Sequence, residues 1–442
     1  MTSISELYQL FLQNPVVCTD TRNIIPGSIF FALKGENFNA NSFAAEAVEK
    51  GCVYAVIDEE PSVANEVTKS EKFILVNDVL KALQDLATHH RKQLKTPVIG
   101  ITGSNGKTTT KELIYSVLKE KFKCFATKGN LNNHIGVPLS LLSLKKEHEI
   151  AVIEMGASKP GDIEELCNIA FPDYGMITNI GRAHLEGMGG VEGVLKTKTE
   201  LFKHIKSHGK LLFVNADDEL LMKHAREFEH FTFGKNGDAD VIGKLESGDA
   251  ELVVKWKTKS NMVETSVASH LPGSYNFPNI MAAICIGSYF GLTKVQINKG
   301  IDNYIPTNNR SQLVKSGSNT ILMDAYNANP SSVEAALDNF SKINAEKKIT
   351  ILGEMLELGE TSLKEHLNII KLVEKMELTQ TYFVGNNYHL LREKFPEHSY
   401  FKNVNELMEF LKIHLIHDSF ILIKGSRGNK LEKLSEVFNP SL

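Results

Sequence analysis

The stretch Ile99–Thr110, IGITGSNGKTTT, limits the fold before anything else does. An apolar run ends at Gly103, a second glycine follows at Gly106, and Lys107-Thr108-Thr109 opens a segment whose apolar positions Leu113, Ile114, Val117 and Leu118 recur at helical spacing. The order is strand, glycine turn, helix start. Glycines let backbone N–H groups approach phosphate oxygens, and the helix N-terminus adds a partial positive charge. Gly103, Ser104, Asn105, Gly106, Lys107, Thr108 and Thr109 are therefore expected to wrap the phosphates of a nucleotide, with Lys107 at the β/γ-phosphates and the Thr108 hydroxyl on Mg²⁺. The general form GxxxxGK[ST] wants glycine where this chain has Ile101, so the loop is the shorter Gly103-x-x-Gly106-Lys107-Thr108 variant.

Around this loop short apolar runs alternate with helical patterns. PVIGIT, IAVIEM, YGMITNI and KLLFVN are predicted as buried strands of a parallel sheet covered by helices. Residues 239–270 break that rhythm with alternating polar and apolar positions (ELVVKWKTK, NMVETSVA) and are expected to form an antiparallel appendage. Before the loop, a strand is predicted at Val53–Asp58 after a helix at Ala44–Lys50, then a strand at Phe73–Val76 and a helix through Leu80, Leu83 and Leu86. A Pro- and Asn-rich linker lies near Tyr304–Arg310, beyond which TILMDA, KITILGEM, TYFVGN and FILIKG restart the alternation. A chain of 442 residues exceeds what one core accommodates. The expected fold class is α/β in three domains: a small mixed unit over 1–95, a central P-loop parallel-sheet domain over 96–306, and a Rossmann-like domain over 307–442.

Composition narrows the partners. Net charge is −4, with 42% hydrophobic and 23% charged residues, which argues against nucleic acid or an anionic membrane as a partner. Cys18, Cys52, Cys124, Cys167 and Cys285 are scattered without metal-ligand spacing, as for reduced thiols. The opening MTSISELYQL has neither a basic n-region nor a long apolar stretch, so a cytoplasmic monomer without membrane insertion is expected.

Three further groups end or follow predicted strands: Glu154 closes IAVIEM, His184 lies in GRAHLEGMGG, and Lys198 lies in VLKTKTELF with Lys196 as its rival. Taken singly, a histidine or a helical lysine is more often structural or solvated. Their shared place beyond the strands of one sheet, where sites of such folds lie, raises their weight.

The loop Gly103-x-x-Gly106-Lys107-Thr108-Thr109 and these three segments resemble those of the Mur ligase family, ATP-dependent amide-bond ligases of wall synthesis. The resemblance implies that Thr108 and Glu154 hold one Mg²⁺, that His184 contributes to a second, and that Lys198 reacts with CO₂ to become an anionic carbamate ligand. Carbamylation requires a neutral amine, hence a lysine with a depressed pKa in a partly buried site. Lys107, Lys198 and His184 are the implied catalytic set. Gly273-Ser-Tyr275-Asn276-Phe-Pro-Asn279 resembles the family's GxHNxxN segment, with Tyr275 where His is usual; Asn276 and Asn279 are expected at adenine. Arg310 and Asp324 match family residues that reach phosphate and ribose.

The ends of the chain sharpen the likeness. TDTRNIIPGSIFFALKGENFNANSF resembles the family's uridine-nucleotide domain, implicating Thr21, Arg22, Lys34 and Asn39; Asn39-Ala40-Asn41 stands where Asp-Gly-His is usual. Gly129-Asn-Leu-Asn132-Asn133-His-Ile-Gly136 and Asp324-Ala-Tyr326-Asn327-Ala-Asn329-Pro330, with Lys424-Gly-Ser-Arg427, resemble the members that add D-alanyl-D-alanine to UDP-N-acetylmuramoyl-tripeptide. These residues are implied at the sugar-peptide and amine substrates. The rival within the family is a ligase adding a diamino acid, disfavoured because no DNPR-like segment occurs in the last domain. A folylpolyglutamate-synthetase-like ligase fits less well, because the N-terminal block resembles a UDP-sugar reader. A P-loop NTPase acting as a conformational switch and an inactive binding module are the alternatives from other classes.

Overall fold

The computed structural model describes residues 2–59, 71–247, 251–307 and 309–438. Three main sheets follow one another along the chain. The first is a four-stranded parallel sheet in the order Val17–Cys18, Ile29–Phe31, Tyr54–Ile57, Phe73–Leu75. Its register is fixed by fully buried residues, Phe30 pairing with Ala55 and Val56 with Ile74. Strands of a parallel sheet are apolar on both faces because helices cover both.

The helix Val79–Gln93 joins this unit to the next, and does more than connect. Asp78 caps its N-terminus at the N–H of Lys81, and its apolar face packs on the helices Gly136–Leu142 and Asp162–Ala170. Gln84 Nε2 donates to Glu165 (2.8 Å) and to the His134 carbonyl (3.2 Å). Near its end the buried Arg91 reaches the Ala170 carbonyl and Asp173 (both 2.9 Å). One continuous apolar cluster consequently runs from Leu7 and Phe31 through Leu83 and Leu86 to Leu141 and Leu166.

The central sheet has nine strands, with Val98–Thr102 third from one edge, between Tyr174–Ile177 and Ile150–Glu154. Helices Lys107–Leu118 and Phe277–Tyr289 cover one face; the second is apolar on all sides and buried along almost its whole length. The segment expected as an appendage is an extension of this sheet. Val241–Ser247 pairs parallel with His230–Gly234, and Leu252–Thr258 and Asn261–Ser269 then continue antiparallel at its edge. The reason lies in the alternation: Leu252, Val254 and Trp256 face inward, and the Trp256 indole N–H donates to Asn298 (2.9 Å) on the helix Lys294–Asp302. Two short strands not expected from the sequence, Cys124–Ala126 and His230–Gly234, complete the sheet.

The last sheet has six strands in the order Gln312–Ser316, Asn319–Asp324, Phe420–Lys424, Lys348–Gly353, Gln380–Val384, Ser399–Phe401, parallel except for the first pair. The four predicted strands form its centre, and the two edge strands are additions of mixed polarity. Apolar clusters lie on both of its faces. The overall class is α/β with parallel sheets, as expected.

Candidate functional site

The carboxyl ends of the central strands and those of the last sheet face a common cleft of about 990 Å³. Its floor is the loop between Thr102 and Lys107. Gly103 has φ +141°, and a Cβ there would lie 2.0 Å from Thr178 Oγ1; Gly106 has φ +77°, and a Cβ there would lie 2.7 Å from Asn279 Oδ1. Both positions need glycine for conformation and for space. Gly106 is also the N-cap of the helix Lys107–Leu118 and offers no side-chain acceptor, so the first-turn N–H groups lack a side-chain cap. The loop is held from behind: Asn105 N–H donates to Asn179 Oδ1 (3.0 Å), Thr178 Oγ1 donates to the Asn105 carbonyl (2.6 Å), and Gly181 N–H donates to Ser104 Oγ (2.8 Å).

Lys107 folds back onto the carbonyls of Gly103 (2.7 Å) and Ser104 (3.3 Å). Burial draws its ammonium below the ordinary lysine value, the Glu154 carboxylate opposes, and the Arg310 charge adds to the depression. Beside it Thr108 Oγ1 donates to Glu154 Oε1 (3.1 Å), and Asn132 Nδ2 donates to the same oxygen (2.7 Å). Glu154 is 1% exposed, and its other oxygen, Oε2, has no hydrogen-bond partner, with the Lys111 ammonium 4.0 Å away. A buried carboxylate oxygen without a hydrogen bond, while its twin is held by two donors, is an arrangement that a hard divalent cation completes, so these residues fit a Mg²⁺.

Lys198 closes the helix Val191–Lys198 and is 1% exposed, whereas Lys196 is exposed. The Lys198 Nζ has no hydrogen-bond partner. Burial first, and the charge of Lys107 second, hold it well below the usual lysine range, against the opposing pull of Asp162 and Glu200. The two lysines are thus close enough to sense each other, although Lys198 and Gly103 stand behind the cleft lining rather than on it.

The other expected residues divide. Asn132, Asn133, Glu154, His184, Asn276, Asn279, Arg310, Asp324, Tyr326, Asn327, Asn329, Lys424 and Arg427 all line the cleft. Several are already engaged. Asn279 donates to Asn276 (2.9 Å) and accepts from Thr110 (3.0 Å); Tyr275, half-buried beside them, meets Ser311 Oγ at 3.2 Å. Asn133 accepts from the N–H of Gly136 (2.8 Å) at the start of a helix. Lys424, 2% exposed, gives its ammonium to Asp324 (2.5 Å). The Tyr326 ring carries the Arg310 guanidinium at 3.6 Å and that of Arg427 at 5.5 Å. Thr21, Arg22, Lys34 and Asn39 do not line the cleft. Arg22 pairs with Asp20, and Lys34 with Asp58 (2.9 Å) and Glu59 (2.7 Å), on the N-terminal unit.

Four residues join this region without having been singled out in the sequence. Lys111 is fully buried one turn after Lys107, 2.5 Å from the Thr127 carbonyl and 4.0 Å from Glu154. Its helical spacing from Lys107 was the available signal. Arg182, Ser331 and Glu357 make contacts between loops of the central sheet and the loops and first helix turn of the last one, which no local pattern encodes. Arg182 pairs with Glu334 and Glu365, its N–H donates to Ser331 Oγ (3.1 Å), and His184 pairs with Glu357. Asn329 Nδ2 also donates to Asn105 Oδ1 (2.8 Å), tying the helix cap of Pro330–Ser341 to the phosphate loop.

Residues 101–287 match the Mur ligase middle domain, and residues 309–427 match the Mur ligase glutamate ligase domain. The chain is 34% identical to the UDP-N-acetylmuramoyl-tripeptide–D-alanyl-D-alanine ligase of Bacillus subtilis (strain 168), over 98% of this chain and 96% of that one. It is 30% identical to the enzyme of the same name from Escherichia coli (strain K12), over 95% and 92%. A crystal structure of MurF from Acinetobacter baumannii superposes with a TM-score of 0.84 at 30% identity, covering 96% of each chain. MurF ligase from Thermotoga maritima in complex with ADP does so with a TM-score of 0.83 at 28% identity, covering 97% of each.

Proposed function

This chain belongs to the Mur ligase family, and on that premise we infer that it joins D-alanyl-D-alanine to UDP-N-acetylmuramoyl-tripeptide at the expense of ATP. The observation that carries the reading is the cluster of Lys107, Thr108 and Glu154 at the base of a cleft whose opposite wall is the DAYNANP segment, with Lys198 buried behind that lining. Joining a carboxylate to an amine in water is uphill. The tripeptide carboxylate oxygen therefore attacks the γ-phosphorus, ADP leaves, and an acyl phosphate forms. The amine of D-alanyl-D-alanine adds to the acyl carbon, phosphate leaves, and the amide remains.

The first step brings two anions together, and the residues are suited to that problem. Lys107 and the open N-terminus of its helix stabilise charge on the transferring phosphoryl group. Thr108 and Glu154 would hold one Mg²⁺, and His184 with a carbamylated Lys198 would serve a second; bound there, the metals neutralise phosphate and carboxylate charge. The depressed Lys198 pKa supports the carbamate, because only the neutral amine adds CO₂.

Residues 1–95 anchor the uridine nucleotide, residues 96–306 bind ATP, and residues 307–442 complete the ATP and amine sites. Asn276, Asn279, Arg310 and Asp324 share the cleft wall; the two asparagines would contact adenine, and Arg310 and Asp324 would serve phosphate and ribose. The Asn side chains of 327 and 329 suit the peptide group of a dipeptide, and Arg427 suits its carboxylate. Among the described residues no helix is long and apolar enough to cross a membrane.

The deciding experiment incubates the protein with ATP, Mg²⁺, UDP-N-acetylmuramoyl-tripeptide and D-alanyl-D-alanine, L-lysine and diaminopimelate in competition, then weighs the products. The expected product is the pentapeptide, with discrimination of up to ~10⁴-fold, since a site built for polar contacts rejects ligands that leave them unpaired. A preferred diamino acid acceptor would leave the family standing and overturn the substrate.

A further inference from the structure

Glu357 belongs to the loop after the strand Lys348–Gly353 of the last sheet, and His184 to the loop after Tyr174–Ile177 of the central one. The fold sets the Glu357 carboxylate against the His184 ring through Oε2 and Nδ1. Both residues adopt left-handed backbone conformations without being glycine, His184 at φ +52° and Glu357 at φ +64°. Such conformations cost on the order of 1 kcal/mol each and persist where the surroundings impose them.

The surroundings here are identifiable. Gly359 lies against the Glu186 side chain, where an added Cβ would come within 3.1 Å. On the other side the Met355 N–H donates to His366 Nε2 (3.0 Å) and the Leu356 N–H to Ser426 Oγ (3.1 Å), which pins the Glu357 loop to its own domain. Glu357 itself keeps a 64% exposed side chain, so it contributes little to the core. Its place is defined by the histidine it meets.

We propose that Glu357 is a positioning residue for His184, delivered by the last domain when it docks on the central one. A carboxylate on Nδ1 fixes the tautomer with the proton on Nδ1 and leaves Nε2 as the ring's free lone pair. Histidines that hold metals commonly donate their second N–H to a carboxylate in this way. Here the carboxylate comes from a different domain than the histidine, so the histidine is oriented for a divalent cation only in the docked arrangement. The proposal rests on the reading of His184 as a contributor to the second metal.

The test follows Mn²⁺ binding by electron paramagnetic resonance to the full-length enzyme saturated with a non-hydrolysable ATP analogue and UDP-N-acetylmuramoyl-tripeptide. Wild type, Glu357→Ala, Glu357→Gln and His184→Ala are compared. In Glu357→Ala the weaker of two Mn²⁺ events should lose about 10- to 100-fold in affinity while the tighter one is unchanged. Glu357→Gln, which keeps an acceptor oxygen for Nδ1–H, should recover most of that loss. Wild-type Mn²⁺ binding in Glu357→Ala alongside loss of the weaker event in His184→Ala would overturn the role of Glu357 alone. Both events intact in His184→Ala would overturn the metal role of His184 and this proposal with it.

Discussion

A buried lysine whose ammonium finds no hydrogen bond is costly to maintain, and Lys198 is such a residue. The cost falls if the amine is neutral, and burial together with the charge of Lys107 pushes it that way. A neutral amine in this position can add CO₂, and the anionic product would stand within electrostatic reach of Lys107. Lys198→Ala is therefore expected to lose about 10³-fold or more in kcat, as for removal of a group acting on transition-state charge. Short carboxylates such as formate or acetate should restore part of the activity by supplying an anionic oxygen. ¹³CO₂ labelling of the wild-type enzyme with bound ATP analogue, read by carbon NMR, checks the adduct directly; a Lys198 that stays unlabelled there while the enzyme turns over would remove the carbamate. Lys196, exposed on the same helix, should tolerate alanine.

Within the element Lys107–Leu118, one helix face carries Lys107, Thr108 and Lys111, and the last of these is the least conspicuous in sequence. Lys111 bonds the Thr127 carbonyl, pairs with Glu112 (2.7 Å), and lies 4.0 Å from Glu154. It links the phosphate-loop helix to the strand that leads into Asn130–Asn133. Lys111→Met should destabilise the fold by about 3 kcal/mol, because removing one member of a buried charged cluster strands the others. Urea denaturation measures it, and a loss below about 1 kcal/mol would show that the cluster is held by other contacts. The same helix shows what a sequence reveals. Its glycine turn, its strand partner and its apolar stripe are local patterns, and they placed Lys107 and Thr108 correctly at a strand's carboxyl end. The short strands Cys124–Ala126 and Ser399–Phe401 were illegible because three residues show no periodicity. The edge strands at 241–269 were visible by alternation, but their attachment to His230–Gly234 depends on tertiary packing. Pairs such as His184 with Glu357 and Arg182 with Glu334 join residues more than a hundred positions apart, which no spacing rule brings together.

At the scale of the whole molecule those distant pairs form one interface. Arg182 spans to Glu334 and Glu365, Asn329 reaches Asn105 in the phosphate loop, and the Ser274 N–H donates to Asn339 (3.1 Å) near the expected adenine contact. The N-terminal unit, by contrast, shares an apolar cluster with the central domain, a different kind of attachment. Apolar clusters resist opening, whereas an interface of polar side chains can exchange its bonds for water. Motion is therefore expected between the central and last domains, about the segment near 304–310, as a rigid-body rotation. Arg182 is the residue to test, since its two carboxylate partners both lie on the moving side. Charge-assisted hydrogen bonds contribute about 1.5–3 kcal/mol each when lost from such a site. That range corresponds to about a 10- to 100-fold shift in an opening equilibrium. Small-angle scattering should show the wild type contracting on saturation with ATP analogue and UDP-N-acetylmuramoyl-tripeptide, and Arg182→Ala contracting less at the same concentrations. The turnover of Arg182→Ala should fall with the docked fraction, because Lys107 and Asp324 lie on different domains and meet across the cleft only when docked. Identical scattering curves for the two proteins, free and saturated, would mean that Arg182 does not govern docking and that the interface is held through the phosphate loop and Asn329 instead.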